Sequence, residues 1–366
     1  MRIAIDAQEL TGALPTGVGR YLAQLLSCWS HAPDASGHDF VACAPGQIRL
    51  ADANGLRLSL ATAPGHGTLW QQFALPRLVS SSQADVLFAP AYTAPLATRV
   101  PTVLSVHDVS FLAHPEWFGA RERLRLRAGV HLSVRKATRI LTFSEFSKRE
   151  IVRCLHVDPG KVEVTYHGVT SLAPTPQTES GPAGCGEDAL LVLYAGSLFN
   201  RRHLPEVIDG FTRLAARVPA RLEIVGHNRT RPYLDIAGLA ASSPAAPRVR
   251  VSSYLPDDQL ASLYRRASVF VFLSEYEGFG MTPIEALGAG VPVIVLDTEV
   301  AREVYGPAAL YLPRPDPDLI AAALERVLFD AGERARLLAA APAVLGRYSW
   351  PECARRTLEA LTAAAA

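Results

Sequence analysis

Two carboxylates flank a glycine-containing loop in the second half of the chain. Residues 275–285 read EYEGFGMTPIE, with Glu277 and Glu285 eight positions apart around Gly278 and Gly280. Glycines let a ligand approach backbone amides, and each carboxylate can accept hydrogen bonds from a pair of hydroxyl groups. A ribose and a hexose both carry such pairs. The segment therefore indicates a site for a nucleotide sugar, with its diphosphate against the amides.

A simpler interpretation accounts for Glu285 alone. Thr282 can cap a helix that has Pro283 at its first position, and Glu285 then falls three residues after the cap, which makes a capping box. That arrangement needs no ligand. It does not explain Glu277 or the two glycines, so the sequence leaves both interpretations open.

Arg201 and Arg202 supply positive charge shortly after a strand that ends at Gly196. They just precede Leu204 and Pro205, where proline suits the first turn of a helix. Two guanidinium groups at a positive helix end can bind a diphosphate by charge and by forked hydrogen bonds. A solvated basic pair is the alternative. The position after a strand end favours the diphosphate.

Glycines also precede the first long helical pattern, at Gly17 and Gly19. The third glycine of a dinucleotide fingerprint would fall at Leu22, and the loop from the strand is too long for that turn. A nicotinamide enzyme is therefore not indicated. Bare backbone at a helix N-terminus suits a phosphate or a sugar hydroxyl, although both glycines could simply form the turn.

Other strand ends carry further candidates. Gly196 with Ser197 and Gly226 follow two strands of the second half, and His107 with Asp108 follows a strand of the first half. Neighbours on an extended segment point to opposite sides, so these last two residues are not predicted to form a catalytic dyad. His107 is either structural or able to bond a sugar hydroxyl.

The elements that must position these residues alternate along the chain. Short apolar runs such as RIAID, ADVLFAP, LLVLYAG and VFVFL read as strands, and amphipathic stretches such as FSKREIVRCL and DQLASLYRRA read as helices. This alternation predicts an α/β fold with parallel sheets covered by helices. Ligands of such sheets bind beyond the carboxyl ends of the strands, where the candidate residues fall.

The length of 366 residues predicts two domains. The segment SLAPTPQTESGPAGCGED is rich in Pro, Gly, Ser and Thr, which is typical of a linker. We therefore expect a first domain over residues 1–172, a linker over 173–187 and a second domain over 188–347.

Composition excludes several classes of protein. With 49% hydrophobic and 19% charged residues and a net charge of +1, the chain is globular and no nucleic acid is expected as a partner. Asp6 and Glu9 interrupt the start of the chain where a signal peptide would be apolar, and no stretch approaches ~18 apolar residues, which predicts a cytoplasmic protein. Asp316-Pro-Asp318 leads directly into a helical pattern, so it is interpreted as a helix start and no metal site is predicted.

Residues 119–136 form a basic stretch, although positive and negative charges nearly balance over the whole chain. Trp117 and Phe118 precede it, and Glu122 is its one carboxylate. A helix of this composition suits anionic headgroups or a lipid-linked acceptor at the inner face of the cell membrane. A solvated basic helix is the alternative. The stretch contains six cations: Arg121, Arg123, Arg125, Arg127, Arg135 and Lys136.

The motifs together resemble a known family, the retaining glycosyltransferases of family 4. The resemblance covers nearly the whole chain through TGVGRYL, ADVLFAP, VHDVSFLAHPEWF, LTFSEFSKREI, YAGSLFNRRHL, LEIVG and, most specifically, FLSEYEGFGMTPIEALGAGVPVI. It implies the GT-B architecture, with two facing Rossmann-like domains and a deep interdomain cleft. It also implies that a closing helix over residues 348–366 crosses back onto the first domain.

Roles for individual residues follow from the resemblance. It implies that Glu285 holds the ribose, that Glu277 meets the donor sugar, that His107 reaches the transferred sugar and that Gly17 lies under the phosphates. The donor site would be lined by Gly278, Phe279, Gly280, Met281 and Thr282, with Gly19, Gly196, Ser197 and Gly226 nearby. The chain departs from the family pattern at Ser197, where many relatives carry arginine. Whether Arg201 or Arg202 neutralises the diphosphate stays open.

The expected activity is retaining transfer of a hexose from a nucleoside diphosphate sugar to a glycan or lipid-linked acceptor in polysaccharide biosynthesis. Mannose from GDP-mannose is the first candidate, because the chain resembles bacterial polysaccharide mannosyltransferases. The two arginines and helix amides would stabilise the leaving group without a metal or other cofactor. The alternatives are a nucleotide-sugar epimerase of GT-B architecture and a non-catalytic GT-B scaffold.

Overall fold

A computed structural model describes residues 1–12, 16–50, 53–169 and 190–366 of the chain. The chain divides into two compact units. Unit 1 comprises Met1–Gly168 together with Tyr348–Ala366, and unit 2 comprises Val169–Arg347. The linker predicted over residues 173–187 lies outside the described residues.

The described part of unit 1 contains a seven-stranded parallel sheet of order β3-β2-β1-β4-β5-β6-β7. Its central strands read as unbroken apolar runs because helices cover both faces. The strands are β1 (Arg2–Asp6), β2 (Asp39–Ala44), β3 (Leu58–Thr62), β4 (Val86–Ala89), β5 (Thr102–Ser105), β6 (Arg139–Thr142) and β7 (Val162–Val164).

Side-chain caps mark the start of two helices of unit 1. The Thr16 hydroxyl accepts a hydrogen bond from the Gly19 amide, and the Ser144 hydroxyl accepts one from the Ser147 amide. A π-helical turn at Trp70–Ala74 joins the second and third helices. The helices are α1 (Gly17–His31), α2 (Gly67–Leu69), α3 (Leu75–Ser81), α4 (Ser110–Ala113), α5 (Ala120–Lys136) and α6 (Glu145–Leu155).

Unit 2 is built on a second parallel sheet, six-stranded over the part the structure describes, of order β10-β9-β8-β11-β12-β13. Its helices are α7 (Leu204–Ala215), α8 (Ile236–Ser242), α9 (Asp257–Arg266), α10 (Met281–Gly288), α11 (Glu299–Tyr305), α12 (Pro317–Phe329) and α13 (Ala331–Leu345). Its strands are β8 (Leu190–Ala195), β9 (Ala220–Val225), β10 (Val249–Ser252), β11 (Val269–Phe272), β12 (Val293–Leu296) and β13 (Ala309–Leu312).

The last helix, α14 (Trp350–Ala365), packs in unit 1. The Trp29 indole of α1 donates to the Ala354 carbonyl at 2.9 Å, and Arg356 donates to the Val164 carbonyl at 2.8 Å. The backbone of Trp350 lies so close to Gly168 that a Cβ at Gly168 would overlap it. These contacts join α14 to the first helix and the last strand of unit 1.

The α/β class with parallel sheets is confirmed, and each apolar run interpreted as a strand forms one. Two strands were missed, β3 and β13, and both lie at the edge of a sheet. The helix start at Asp316 is also confirmed, since its carboxylate accepts from the amides of Asp318 and Leu319. Over the described ranges, no helix combines the length and the apolar character that a membrane crossing needs.

Candidate functional site

An arginine and a glutamate meet at the carboxyl edge of the unit 2 sheet. Arg202 follows β8 and Glu277 follows the neighbouring strand β11. Arg202 donates to Oε1 of Glu277 from Nε at 2.9 Å, and its Nη2 lies 2.7 Å from the same oxygen. The Ser274 hydroxyl donates to Oε1 as well, at 2.7 Å. Three donors therefore converge on one carboxylate oxygen, while no described residue donates to Oε2.

Arg202 is a buried cation, with 9% of its surface exposed. Its Nη1 donates to the Ser197 carbonyl at 2.7 Å, and its guanidinium lies 4.6 Å from the centre of the Phe272 ring. Burial alone would lower the pKa of Arg202, but the Glu277 carboxylate and the Tyr194 hydroxyl together raise it above the ordinary value. Arg202 and Glu277 thus form a fixed, charged pair.

Arg201 occupies a different environment from its neighbour. Its Nε donates to the Tyr276 carbonyl at 3.2 Å, and its guanidinium lies 4.3 Å from the centre of the Phe199 ring. The Glu275 amide donates to the Arg201 carbonyl at 3.0 Å, which holds this segment beside the loop after β11. Arg201 is half-buried and makes neither contact with Glu277 that Arg202 makes.

The loop after β11 turns into α10 through a left-handed glycine. Gly280 has φ +86°, and a Cβ there would overlap the hydroxyl of Tyr305, which donates to the Gly280 carbonyl at 3.0 Å. Both the backbone conformation and the packing therefore require glycine. The neighbouring Gly278 is half-buried and Phe279 is buried, so the loop is packed on one side.

The capping-box interpretation of Glu285 is wrong. Helix α10 begins at Met281 with Gly280 at the cap position, so Thr282 already lies in the first turn and no side chain caps the helix. With Gly280 in the left-handed region at the cap, the helix starts two residues earlier in the chain than the Thr282 pattern predicted. The Thr282 hydroxyl is buried and has no hydrogen-bond partner in the described part of the chain.

Glu285 is held by a residue that sequence reasoning missed. The hydroxyl of Tyr264, a fully buried residue of α9, donates to Oε2 of Glu285 at 3.0 Å. Glu285 itself is half-buried. Three other supporting residues were found only in the structure. Ser274 contacts Glu277, Phe272 contacts Arg202 and Tyr305 contacts Gly280.

Gly196 and Gly226 adjoin at the carboxyl ends of β8 and β9. A Cβ on Gly226 would overlap the Gly196 carbonyl, and the Gly196 amide donates to the Val225 carbonyl at 2.9 Å. A side chain at Gly226 is therefore excluded by backbone. This end of the sheet presents main chain beside Ser197, whose carbonyl accepts from both Arg202 and Tyr194.

In unit 1, His107 follows β5 and its protonation state is determined by its contacts. Its Nε2 lies 2.8 Å from the Pro90 carbonyl, which can only accept, so Nε2 carries the hydrogen and Nδ1 is an acceptor. The ring packs against Tyr21 and Phe143, and burial lowers the pKa of His107 to about 4. The imidazole is therefore neutral at pH 7.

His107 belongs to a cluster of rings. His167 stacks on Phe143 with centroids 3.9 Å apart, and its pKa is also lowered by burial. Asp108 contacts other groups, because its carboxylate accepts from the Ser110 amide at 2.8 Å and from the Tyr92 hydroxyl at 2.9 Å. His107 and Asp108 therefore do not form a dyad. Their adjacent positions on an extended segment had predicted this outcome.

The two glycines at the start of α1 differ. A Cβ at Gly19 would lie 2.8 Å from the Glu9 carbonyl oxygen, so packing requires glycine there. A Cβ at Gly17 would meet no atom of the described residues within 4 Å. Gly19 lies within α1, so close packing and not a turn explains the glycine there, and Gly17 is the more open position. Across the ranges that the structure describes, no three His, Cys, Asp or Glu side chains are grouped so as to hold a metal ion.

Comparison with known proteins agrees with this architecture. Residues 15–171 match the family model described as Glycosyltransferase Family 4, and residues 178–344 match the model described as Glycosyl transferases group 1. The chain is 28% identical to the O-antigen chain mannosyltransferase B of Escherichia coli over 70% of this chain and 69% of that protein. It is 27% identical to the D-inositol 3-phosphate glycosyltransferase of Xylanimonas cellulosilytica, over 86% and 76% of the two chains.

A solved structure shows the same fold. Anabaena HepE in complex with UDP and glucose superposes with a TM-score of 0.74 at 17% identity, over 99% of this chain and all of that one. The two family models together span most of the chain, and each match lies almost wholly within one parallel-sheet unit. The chain belongs to the glycosyltransferases of the family 4 type with the GT-B fold.

Proposed function

We propose that this protein transfers a hexose from a nucleoside diphosphate sugar to a glycan or lipid-linked acceptor in polysaccharide biosynthesis. The anomeric configuration is retained and no metal takes part. The observation that carries the proposal is the state of Glu277, whose Oε1 receives three protein donors while Oε2 receives none from the described residues. A carboxylate held in this way is oriented to accept hydrogen bonds from a sugar.

Mannose from GDP-mannose is the first candidate donor. The similarity to the mannosyltransferase of Escherichia coli supports mannose, although HepE was solved with UDP and glucose. UDP- and dTDP-sugars are the next candidates. The enzyme acts in the cytoplasm or at the inner face of the membrane, where nucleotide sugars and lipid-linked acceptors are both available.

Arg201 and Arg202 are assigned different roles. Arg202 commits Nε, Nη1 and Nη2 to Glu277 and to the Ser197 carbonyl, so its role is to hold the carboxylate. Arg201, stacked on Phe199 at the same strand end, is the better candidate to neutralise the diphosphate. Glu285, oriented by a tyrosine hydroxyl, accepts from the ribose, and the amides at the start of α10 face the phosphates.

In the reaction, the bond between the anomeric carbon and the diphosphate oxygen breaks first. The acceptor hydroxyl attacks the oxocarbenium-like carbon from the same face, and its proton passes to the leaving diphosphate oxygen. Stabilising the charge on that oxygen is the largest available contribution, which Arg201 and the helix amides make. Neutral His107 offers Nδ1 as an acceptor for a hydroxyl of the transferred sugar.

The acceptor side lies in unit 1. We propose that α5, the helix predicted over residues 119–136, contacts a membrane surface or a lipid-linked acceptor. Its first half keeps the arginine side chains and Leu124 exposed. This composition suits anionic headgroups.

The test uses nucleotides first and products second. Calorimetry with GDP, UDP, dTDP and ADP should give clear heat of binding for one nucleotide, and Glu285→Gln should weaken that binding. Nuclear magnetic resonance of the product, formed in the presence of a chelator, should show the anomeric configuration of the donor. An inverted product, or activity abolished by the chelator, would contradict the mechanism.

Two controls separate the alternatives. A nucleotide sugar incubated without acceptor should stay unchanged in its sugar configuration, whereas an epimerase would convert it. Absence of binding for all four nucleotides would favour the non-catalytic scaffold.

A further inference from the structure

Unit 1 exposes large apolar side chains that are interleaved with arginines. Leu69 and Phe73 are 73% and 62% exposed, and Leu96 and Leu132 are 41% and 47% exposed. Such residues are usually buried, and several on one surface mark an interaction site. We define the basic–apolar face by these four residues and four exposed cations: Arg77, Arg99, Arg121 and Arg125.

Hydrogen bonds show that the three segments carrying this face are adjacent. The Gln72 side chain, beside Phe73, accepts from the Leu96 amide at 3.0 Å and donates to the Ala94 carbonyl at 3.1 Å. The Ser133 hydroxyl of α5, beside Leu132, accepts from the Ala94 amide at 2.9 Å. The loop after β4 therefore lies between the π-helical turn and α5, and contacts both.

Helical spacing places the exposed residues of α5 on the side of the helix that faces away from the core. Arg121, Arg125 and Leu132 are four and seven positions apart, so they share one side of the helix. Val130 and Val134 are fully buried and define the core side. The exposed cations and the exposed leucine of α5 consequently line one edge of the basic–apolar face.

Charge on the face has one sign. Residues 67–81 and 90–100 contain no aspartate or glutamate, and residues 119–136 contain only Glu122 against six cations. The Arg77 guanidinium donates to the Phe73 carbonyl at 3.1 Å, which places a cation next to the most exposed aromatic ring of unit 1. The whole-chain net charge of +1 hides this local excess.

We propose that the basic–apolar face docks on an anionic lipid bilayer, with Leu69 and Phe73 entering the boundary between headgroups and acyl chains. Arginines supply attraction to anionic headgroups, and the protruding leucine and phenylalanine supply apolar area that the acyl boundary accepts. A nucleic acid would use the arginines but not the leucines. The inference extends the membrane contact proposed for α5, and it identifies the inserted residues outside that helix.

The location of the face relates it to the proposed reaction. The loop after β4 begins at Pro90, whose carbonyl accepts from His107, and reaches exposed Leu96 six residues later. Six extended residues span at most about 20 Å. A bilayer under this face would therefore lie within reach of the carboxyl edge of unit 1, where a lipid-linked acceptor would be needed.

Vesicle sedimentation tests the two halves of the face separately. The protein should sediment with phosphatidylcholine vesicles that contain phosphatidylglycerol and stay in the supernatant without it. Leu69→Ser with Phe73→Ser should lower the partition coefficient at least about tenfold. Arg121→Gln with Arg125→Gln should also lower it, and the wild-type binding should weaken with salt.

Matched controls lie outside the face. Leu60→Ser removes an exposed leucine from the edge strand β3 of the same unit, and Arg250→Gln removes an exposed arginine from β10 of unit 2. Both should sediment like the wild type. Equal recovery of the wild type in the supernatant from vesicles with and without phosphatidylglycerol would overturn the proposal. Tighter binding to RNA than to the vesicles would overturn it as well.

Insertion is measured directly with Phe73→Trp. Its fluorescence, taken as the difference from the wild type, should shift to the blue on anionic vesicles and be quenched by brominated acyl chains. Binding without either change would show that only headgroup charge is recognised and would refute insertion. Nucleotide calorimetry without vesicles does not involve this face, so loss of membrane binding and failure of the proposed transferase activity are distinguishable.

Discussion

Glu277→Gln tests the central feature of the proposed donor site. Arg202 and Ser274 direct three donors at Oε1, so the amide oxygen of glutamine must take that position. The amide nitrogen then replaces Oε2. The substitution therefore turns the acceptor that would meet the donor sugar into a donor, while the shape of the side chain stays the same.

The size of the effect follows from the bond that is lost. A hydrogen bond to a charged group contributes about 1.5–3 kcal/mol, which corresponds to roughly 10- to 150-fold in rate. Because the sugar acquires positive charge only in the transition state, the loss should appear in kcat. Affinity for the free nucleoside diphosphate should stay close to normal, since Oε2 of Glu277 is assigned to the sugar.

The assay combines turnover, nucleotide calorimetry and a melting curve. Ser274→Ala is the matched control, because it removes one donor from Oε1 and leaves Oε2 unchanged, so it should affect kcat much less. Arg202→Met should instead lower stability by about 3–5 kcal/mol, because it leaves a largely buried carboxylate without its cation. Unchanged turnover of Glu277→Gln, or a fall in nucleotide affinity as large as the fall in kcat, would refute the assigned role.

Three further predictions concern the same elements. Gly280→Ala should lower the melting temperature more than Gly290→Ala, since both have positive φ but only Gly280 lacks room for a Cβ, and equal losses would contradict the packing argument. The pKa of His107 is about 4 in the folded protein against 6.5 when unfolded, so about 3 kcal/mol of stability should be present above pH 6.5 and lost as the pH falls toward 4. The melting temperature of His107→Phe should therefore fall less than that of the wild type between pH 7.5 and 4.5. An equal fall would argue against a neutral, buried His107. Glu285→Gln should weaken the binding of the nucleoside diphosphate by about 1–3 kcal/mol, and Tyr264→Phe should weaken it by less, as measured by calorimetry. Unchanged affinity in both variants would exclude a ligand role for Glu285.

Much of the fold could be predicted because its strands are buried on both faces and therefore read as apolar runs. The two missed strands show where this signal fails. Residues Leu58–Thr62 form an edge strand with mostly exposed or half-buried side chains, and Ala309–Leu312 is a short strand at the edge of the other sheet. An edge strand has a neighbouring strand on one side only, so more of its side chains contact solvent and fewer of them need to be apolar.

The sequence offered candidate residues for the site but not the contacts between them. Glu277 and Arg202 are 75 positions apart, and nothing local in the sequence shows that neighbouring strands β8 and β11 bring them together. The capping pattern at Thr282 failed for a related reason. Gly280 has a left-handed backbone and its carbonyl accepts from the Tyr305 hydroxyl, 25 residues away, a contact that no local pattern shows.

The position of α14 has a consequence for the order in which the chain can fold during synthesis. Unit 1 is assembled from both ends of the sequence, whereas unit 2 is continuous. The ribosome releases all of unit 2 before it releases the helix that covers Trp29 and Gly168. Nascent unit 1 must therefore persist with an apolar groove open beside α1 until α14 has left the ribosome, and during that time the groove is accessible to chaperones that recognise exposed apolar surface.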